Sequence, residues 1–455
     1  MEKTIAAIST APAPGGIGIV RISGGEAFAV AEKVFRGVSG KKLSQMKGYT
    51  AQLGGAYTPA GEKLDDVVAL VYRGPKSYTG EDVVELSCHG GLYMTKRLLQ
   101  LVLDAGAAPA GPGEFTRRAF LNGKMDLAQA EAVMGLISAS GEQARKAALA
   151  GSTGVLSRKI ESIKQGLLEQ AAHLAAWADF PEEDVPQVEE AALLEGIRQG
   201  EKALEELLQG FDRGRMYREG LVTVIAGRPN AGKSTLMNLL SGCQRSIVTQ
   251  YAGTTRDVVE ETVMVAGVPL RLADTAGIRD TDDPVESIGV QAARQRLETA
   301  QLVLAVFDSS QALEKEDWEL MDSLENVPAI AIVNKSDLPT RMDVEAIQGR
   351  FEKTVSLSAA TGEGLAALEQ ALSEILDIKD FHPQEGVLFT QRQRMDAQTA
   401  LDSLREGEQA LVLGLTLDAV TVCVEDALHA LAALTGEQVS EKIVDRVFEE
   451  FCVGK

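Results

Sequence analysis

The sequence predicts a multidomain protein: an N-terminal α+β domain, then a discontinuous α-helical domain, with an α/β P-loop domain inserted into the latter. Three observations predict it. Short β-type runs punctuated by Gly and Pro fill the first ~120 residues. Apolar residues recur at helical spacing from Leu127 onward and again after "FHPQEG". Between these helical stretches, "GRPNAGKS" (Gly227–Ser234) directly follows the apolar run "LVTVIA". At 455 residues the chain exceeds the ~250–300 at which single cores stop growing, so several domains are expected.

In the first domain, residues 1–120, "GIGIVRIS" and "DVVALVYRG" read as strands. "DLAQAEAVMGLISASGEQARKAALAG", "SRKIESIKQGLLEQAAHLAAWADF" and Glu189–Gln209 carry helical spacing, and the proline-bearing acidic stretch "DFPEEDVPQVEE" reads as a solvated connector. From Leu221 to about Ile378, runs such as "LVLAVFD" and "AIAIVN" alternate with helical segments, as in a parallel-sheet α/β domain. The boundaries that follow are 121–215 with 382–455 for the helical domain and 216–381 for the insertion. Insertion is tolerated because the termini of a domain often lie close together at its surface.

Composition narrows the class. Hydrophobic residues make up 45% and charged residues 24%, with no apolar run of ~18 residues, so no membrane span is expected. "MEKTIAAIST" lacks the features of a secretory signal, which predicts a cytoplasmic protein. The cysteines, Cys88, Cys243, Cys423 and Cys452, form no C-x-x-C pair, arguing against a disulfide framework and a zinc site. A net charge of −21 opposes broad nucleic-acid affinity, so an RNA partner requires a local basic patch or a second protein.

The inserted domain carries the chemistry. Backbone N–H groups along Asn230, Ala231, Gly232, Lys233 and Ser234 suit a phosphate chain at a helix N-terminus, with Thr235 following; Lys233 reaches the β/γ oxygens and the Ser234 hydroxyl ligates Mg²⁺. "DTAG" (Asp274, Thr275, Ala276, Gly277) supplies an Mg²⁺-side carboxylate and a backbone N–H for the γ-phosphate. In "GTTRD", Thr255 is preferred over Thr254 to complete the Mg²⁺ shell. "NKSD" contributes Asn334, Lys335 and Asp337, whose carboxylate accepts from guanine N1 and the 2-amino group; "SAATG" brings Ser358 and Ala359 to the guanine O6. Adenine leaves those groups unpaired. Four such motifs in order identify a GTP-binding domain. Ile278 stands where many small GTPases place a water-orienting glutamine, so Glu286 is the candidate water positioner, although alone it reads as a solvated loop acid. Asn230 and "TQYAGTT" could cage a K⁺ ion.

"GRPNAGKST", "YAGTTRD", "DTAGIR" with Glu286, and the terminal "FCVGK" closely resemble the MnmE (TrmE) family of tRNA-modification GTPases. The likeness runs nearly the whole length, taking in "GGIGIVRISG", "SYTGEDVVEL", "GPGEFTRRAFLNGKMDLAQAEAV" and "DFPEED". The resemblance implies a tetrahydrofolate-binding, dimerising domain at 1–120, a homodimer, and K⁺-stimulated hydrolysis driven by transient G-domain dimerisation. It places K⁺ ligands at Asn230, Thr249, Tyr251 (by its carbonyl) and Thr254, Mg²⁺ ligands at Ser234 and Thr255, and folate contacts at Arg21, Glu85, Lys124 and Lys455. It further implies a heterotetramer with an FAD-containing partner, MnmG. Together they would install a carboxymethylaminomethyl-type group on C5 of the wobble uridine of certain tRNAs, with 5-formyl- or 5,10-methylene-tetrahydrofolate as one-carbon source. Independently, a carboxylate such as Glu85 suits a pterin edge, and Arg21 or Lys124 suits a glutamate tail; without the resemblance these read as surface charges.

Along "KIVDRVFEEFCVGK", Ile443, Val444, Val447, Phe448 and Phe451 form one helical stripe, with Cys452 next on it and Gly454 ending the helix. Cys452 then either closes a packed face or, as the family suggests, acts at the folate site as a catalytic thiol beside Lys233 and Glu286 in the chain's functional set. The insertion also reads as a switch, in which G-domain closure moves the helices tied to its ends. Two other classes compete: a GTP-dependent ribosome or assembly factor, and a folate enzyme whose GTPase is regulatory.

Overall fold

The computed structural model describes residues 3–179, 189–243, 261–273, 300–325, 327–376, 382, 386–449 and 451–454. They fall into two compact units, one comprising Met1–Met134, Ile160–Ile197 and Asp402–Lys455, the other Gly135–Lys159 and Arg198–Leu401.

The N-terminal α+β expectation holds. The elements are β1 (Ile5–Ile8), β2 (Ile17–Ser23), α1 (Ala27–Val34), β3 (Phe35–Gly37), β4 (Thr50–Tyr57), β5 (Lys63–Tyr72), β6 (Val83–His89), α2 (Leu92–Asp104), β7 (Ala108–Pro109) and α3 (Glu114–Leu121). The seven strands form one sheet in the order β3-β4-β5-β6-β2-β1-β7, antiparallel except at β1–β7. Strand alternation puts Val20, Ile22, Val67, Ala69, Val84 and Leu86 on one face, where they form a single core with residues of α1 and α2. The other face carries Ile17, Leu53 and Val68, all exposed, together with Arg21 and Glu85, which are register partners on β2 and β6. Buried Arg118 on α3 fastens this domain: its guanidinium donates to both Glu81 oxygens (3.2 and 3.1 Å), to Glu114 Oε1 (2.9 Å) and to the Lys3 carbonyl (2.8 Å). The second Glu114 oxygen accepts from Gly111 N–H at 2.7 Å, so the same network fixes the turn that precedes α3.

The helical readings are met by α4 (Leu127–Ser138), α5 (Glu142–Ser152), α6 (Val155–Asp179) and α7 (Glu190–Glu219). Helix α7 continues ten residues past the expected Gln209, through "GFDRGRMYRE", where Phe211 and Tyr217 are buried and extend its apolar stripe. Most of the expected acidic connector, residues 180–188, lies outside the described residues.

The second unit holds β8 (Leu221–Ala226), α8 (Lys233–Cys243), β9 (Glu261–Val265), β10 (Val268–Ala273), β11 (Leu302–Asp308), α9 (Lys315–Ser323), β12 (Ala329–Asn334), α10 (Val344–Gln348), β13 (Lys353–Ser356) and α11 (Leu365–Ile375). Its six-stranded sheet runs β13-β12-β11-β8-β10-β9. Strands β11 and β12 are buried at every position, as their unbroken apolar runs require of central parallel strands. One feature departs from the parallel expectation: β9 and β10 form an antiparallel hairpin at the sheet edge. Its two-residue turn is Ala266-Gly267, both at positive φ (51° and 79°), the geometry that matches strand twist. The sequence hides this hairpin because Ala at the first turn position is a poor signal.

The chain ends in α12 (Gln391–Val412), α13 (Leu417–Thr435) and α14 (Glu441–Glu449). Helix α13 buries Val420, Val424, Ala427, Leu431 and Leu434 along one stripe. Val444, Phe448 and Phe451 pack on Leu127 and Ala130, but Ile443, expected on that stripe, is exposed. The helix also stops earlier than expected. A turn in which Phe451 N–H donates to the Phe448 carbonyl (3.1 Å) leads the chain out of α14, so Cys452 lies beyond the helix.

Candidate active site

The phosphate-binding loop joins β8 to α8. Gly227 sits at φ +155°, and a side chain there would strike the Val306 carbonyl oxygen of β11. Asn230 adopts φ 61°, an unusual conformation for a residue other than glycine. Gly232, at φ +97°, brings the loop so close to Asn334 at the end of β12 that a Cβ would overlap the Asn334 amide nitrogen. The first-turn N–H groups of α8, from Lys233, Ser234 and Thr235, have no acceptor within the helix, and the dipole adds positive potential there. Lys233 Nζ donates to the Gly227 and Arg228 carbonyls at 2.7 Å each, which holds an ammonium over the loop. Amides at a helix start beside a lysine are the donor set a phosphate chain needs.

The guanine motifs converge on the same place. Asn334 Nδ2 donates to the Ala231 carbonyl (2.8 Å), while its Oδ1 accepts from Ala359 N–H (2.9 Å). One buried amide thus connects the phosphate loop, "NKSD" and "SAATG". Ser358 Oγ donates to Asp337 Oδ1 at 2.6 Å, orienting that carboxylate. Lys335, at φ 63°, gives its ammonium to Asp308 Oδ2 at 2.5 Å. Sequence reasoning missed Asp308. Burial would raise its carboxyl, but hydrogen bonds from Lys335 and Ser310 outweigh that and hold it below the usual range. The signal was available: "LVLAVFD" ends an apolar strand in a buried charge, which demands a partner. Arg228 was also missed; it pairs with Glu314 (2.7 Å) and Asp317 (2.9 Å), the two members of the capping box of α9.

Asn334→Ala should remove both bonds and leave a buried carbonyl and N–H unpaired, at about 1–3 kcal/mol each. The expected result is a lower melting temperature together with weaker GTP affinity. Asn334→Asp keeps the acceptor and should recover part of the loss; a melting temperature unchanged in both variants would refute the linkage.

Thr249, Tyr251, Thr254, Thr255, Asp274, Thr275, Ala276, Gly277, Glu286 and Lys455 lie outside the described residues.

A second cluster of polar and aromatic side chains forms in the N-terminal domain. Arg21 Nε donates to Glu85 Oε1 at 2.9 Å, and Tyr72 OH donates to the other Glu85 oxygen at 3.3 Å. The Arg21 guanidinium lies 5.7 Å from the Tyr78 ring centroid and 5.6 Å from that of Phe115. Burial, then the negative charge of Glu85, raises the Tyr72 phenol; burial does the same for Tyr78. These aromatic residues carried no distinguishing pattern in the sequence. Lys124 Nζ donates to the Pro75 carbonyl (3.0 Å), on the segment that also bears Tyr78. The donor set fits a ligand with both a hydrogen-bonding heterocycle and carboxylates: a half-buried carboxylate, a guanidinium and flanking rings.

The C-terminal tail enters this neighbourhood. Val453 bridges Pro112, Gly113 N–H donates to the Cys452 carbonyl (3.3 Å), and Ser9 Oγ donates to the Gly454 carbonyl (3.1 Å). Cys452, only partly exposed, is therefore held at Gly113, the residue immediately before the helix that carries Phe115. The Cys88 thiol, pushed up to about 11 by burial and then by Asp65, is kept protonated and inert at neutral pH. Among the described residues no group of His, Cys, Asp and Glu is arranged to hold a metal ion, and no helix is long and apolar enough to cross a membrane.

Two family models match the chain: the MnmE helical domain over residues 127–452, and the N-terminus of GTP-binding protein TrmE over residues 4–124. Curated relatives include the tRNA modification GTPase MnmE of Alkaliphilus oremlandii, 43% identical over 459 residues, and that of Symbiobacterium thermophilum, 44% identical over 457 residues. Each alignment covers 100% of both chains. Sequence motifs, loop geometry and full-length similarity agree: the chain belongs to the MnmE (TrmE) family of tRNA modification GTPases, built from a TrmE N-terminal domain, a helical domain and a P-loop GTPase domain, and it is a GTP hydrolase.

Proposed function

We propose that this GTPase, with an FAD-containing MnmG partner, installs a carboxymethylaminomethyl-type group on C5 of the wobble uridine of certain tRNAs, drawing the one-carbon unit from a tetrahydrofolate derivative. The observation that carries the reading is the docking of the C-terminal tail on the Pro112–Gly113 turn, beside the helix whose Phe115 flanks the Arg21–Glu85 pair. Glu85 offers acceptor oxygens to a pterin edge, Arg21 and Lys124 offer cations to a glutamate tail, and Lys455 follows the docked Gly454. When bound, the folate supplies carbon at an oxidation level that an amine and a uridine C5 can share. The chain's own part is to orient that cofactor, to exclude water with Tyr72, Tyr78 and Phe115, and to present the Cys452 thiol.

In the GTPase domain Lys233 and the first-turn amides of α8 hold the phosphates, Asp337 and Ser358 select guanine, and Glu286 positions water. Asn230, Thr249, Tyr251 and Thr254 would hold K⁺, and Ser234 with Thr255 would hold Mg²⁺; these ions supply positive charge where the phosphoryl group departs. The exposed Ile17, Leu53 and Val68 on the outer face of the N-terminal sheet support a homodimer through that domain, 1–120. The helical domain, 121–215 with 382–455, then carries the inserted GTPase domain, 216–381, in a cytoplasmic complex.

Nucleoside mass spectrometry of bulk tRNA tests the reading. A strain lacking the protein should lose its C5 aminomethyl-type wobble uridines, and the wild-type gene should restore them. Unchanged nucleosides in a strain without a redundant gene would move the function to a GTP-dependent assembly factor.

A further inference from the structure

We infer that a basic concavity at the edge of the N-terminal sheet is a binding site for the phosphodiester backbone of the tRNA substrate. The inference rests on tRNA being the partner and adds where the contact is made. A chain with net charge −21 repels a polyanion at long range, so any direct contact must be local. Residues 33–47 depart from the overall balance: they include Lys33, Arg36, Lys41, Lys42 and Lys47 and no acidic residue.

The fold gathers these cations. β3 is the edge strand of the sheet, and the segment after it turns back at Gly40, where φ is +69°. Together with the C-terminal end of α1, this encloses an open concavity of about 460 Å³ lined by Lys33, Arg36, Lys41 and Lys42. Its acidic lining residue, Glu32, is already engaged, since its Oε1 accepts from Ser44 N–H at 2.7 Å. Lys33 Nζ donates to the Ala105 carbonyl at 2.8 Å, which anchors it but leaves its charge uncompensated. The Arg36 guanidinium sits 4.6 Å from the Tyr57 ring centroid, a contact that fixes its position without consuming its N–H donors. Among the described residues Arg36, Lys41 and Lys42 form no ion pair. Elsewhere lysines are neutralised: Lys63 by Asp66, Lys164 by Glu437, Lys353 by Glu374. Four converging cations with spare donors, set against the single carboxylate of Glu32 and forming no ion pair with it, suit successive phosphate oxygens.

The test uses the full-length protein and a fluorescently labelled, unmodified tRNA, with anisotropy read between 50 and 200 mM salt. Each phosphate contact contributes about 0.7–0.9 to the slope of log affinity against log salt. Lys41→Ala/Lys42→Ala should therefore lower the slope by about 1.4–1.8 and weaken binding about tenfold. GTP hydrolysis should be unchanged, which checks folding, and Lys63→Ala serves as the control for a paired surface lysine. An unchanged affinity and slope in the double variant, an equal loss in Lys63→Ala, no tRNA binding by the wild type at 50 mM salt, or preferential binding to phosphatidylserine vesicles would each overturn the site. If deletion of the gene abolishes the modified uridines while the double variant binds like wild type, the site falls and the function stands. If deletion leaves the nucleosides unchanged, the function itself has failed.

Discussion

Asp337→Asn should lower GTP affinity at least about hundredfold while leaving the GTPase domain folded. In the proposed role the carboxylate accepts from two donors on one edge of guanine, and Ser358 Oγ holds its orientation through a 2.6 Å hydrogen bond. Asparagine replaces one acceptor oxygen with an NH₂ that meets a donor. Losing charge-assisted hydrogen bonds worth about 1.5–3 kcal/mol each gives the expected factor. Xanthine carries an acceptor oxygen in place of the 2-amino group, so the variant should bind xanthosine triphosphate better than GTP. Isothermal titration with both nucleotides decides the matter. Wild-type GTP affinity in the variant would remove Asp337 from base recognition.

Gly454→Ala should separate the two sites. At φ +97° an alanine is strained by about 1–2 kcal/mol, and its Cβ would also run into the Ile8 carbonyl oxygen. The tail and β1 have little room to yield, because Ser9 Oγ already binds the Gly454 carbonyl and Gly113 N–H binds the Cys452 carbonyl two residues before it. The expected result is a tail released from the N-terminal domain: at least about a tenfold fall in modified wobble uridine by mass spectrometry, with GTP hydrolysis at its wild-type rate. Ser9→Ala removes one hydrogen bond and should cost far less. A variant with normal modification would show that the tail has no part in the chemistry, and one with an equal loss of GTP hydrolysis would show that the sites are not separable.

The nucleotide site was legible because its chemistry resides in backbone geometry, and backbone geometry leaves a strict residue code. Gly227 and Gly232 are needed where a side chain would meet Val306 or Asn334, and Asn334 must be an amide to donate and accept at once. The Arg21–Glu85 cluster was less legible. Arg21 and Glu85 meet only because β2 and β6 pair in one register, and nothing in either segment announces its partner. Tyr72, Tyr78 and Phe115 read as ordinary core aromatics until the fold brings them around that pair. Helical periodicity likewise extended naturally to Cys452, whereas the Phe448–Phe451 turn ends the helix first. Boundary residues of this kind are decided by tertiary contacts.

The bond between Ser9 and Gly454 joins positions 445 residues apart. Closing so long a loop directly from an unfolded chain would cost about 5 kcal/mol in entropy, so the tail docks only after the intervening helices and sheets have shortened the path. Order of synthesis then matters. A nascent chain elongated to residue 440 already contains every residue of the nucleotide site yet none of the tail. Such an intermediate lacks the contacts that Ser9, Pro112 and Gly113 make with residues 452–454, so the N-terminal domain, although synthesised first, completes its own packing only after the tail has emerged.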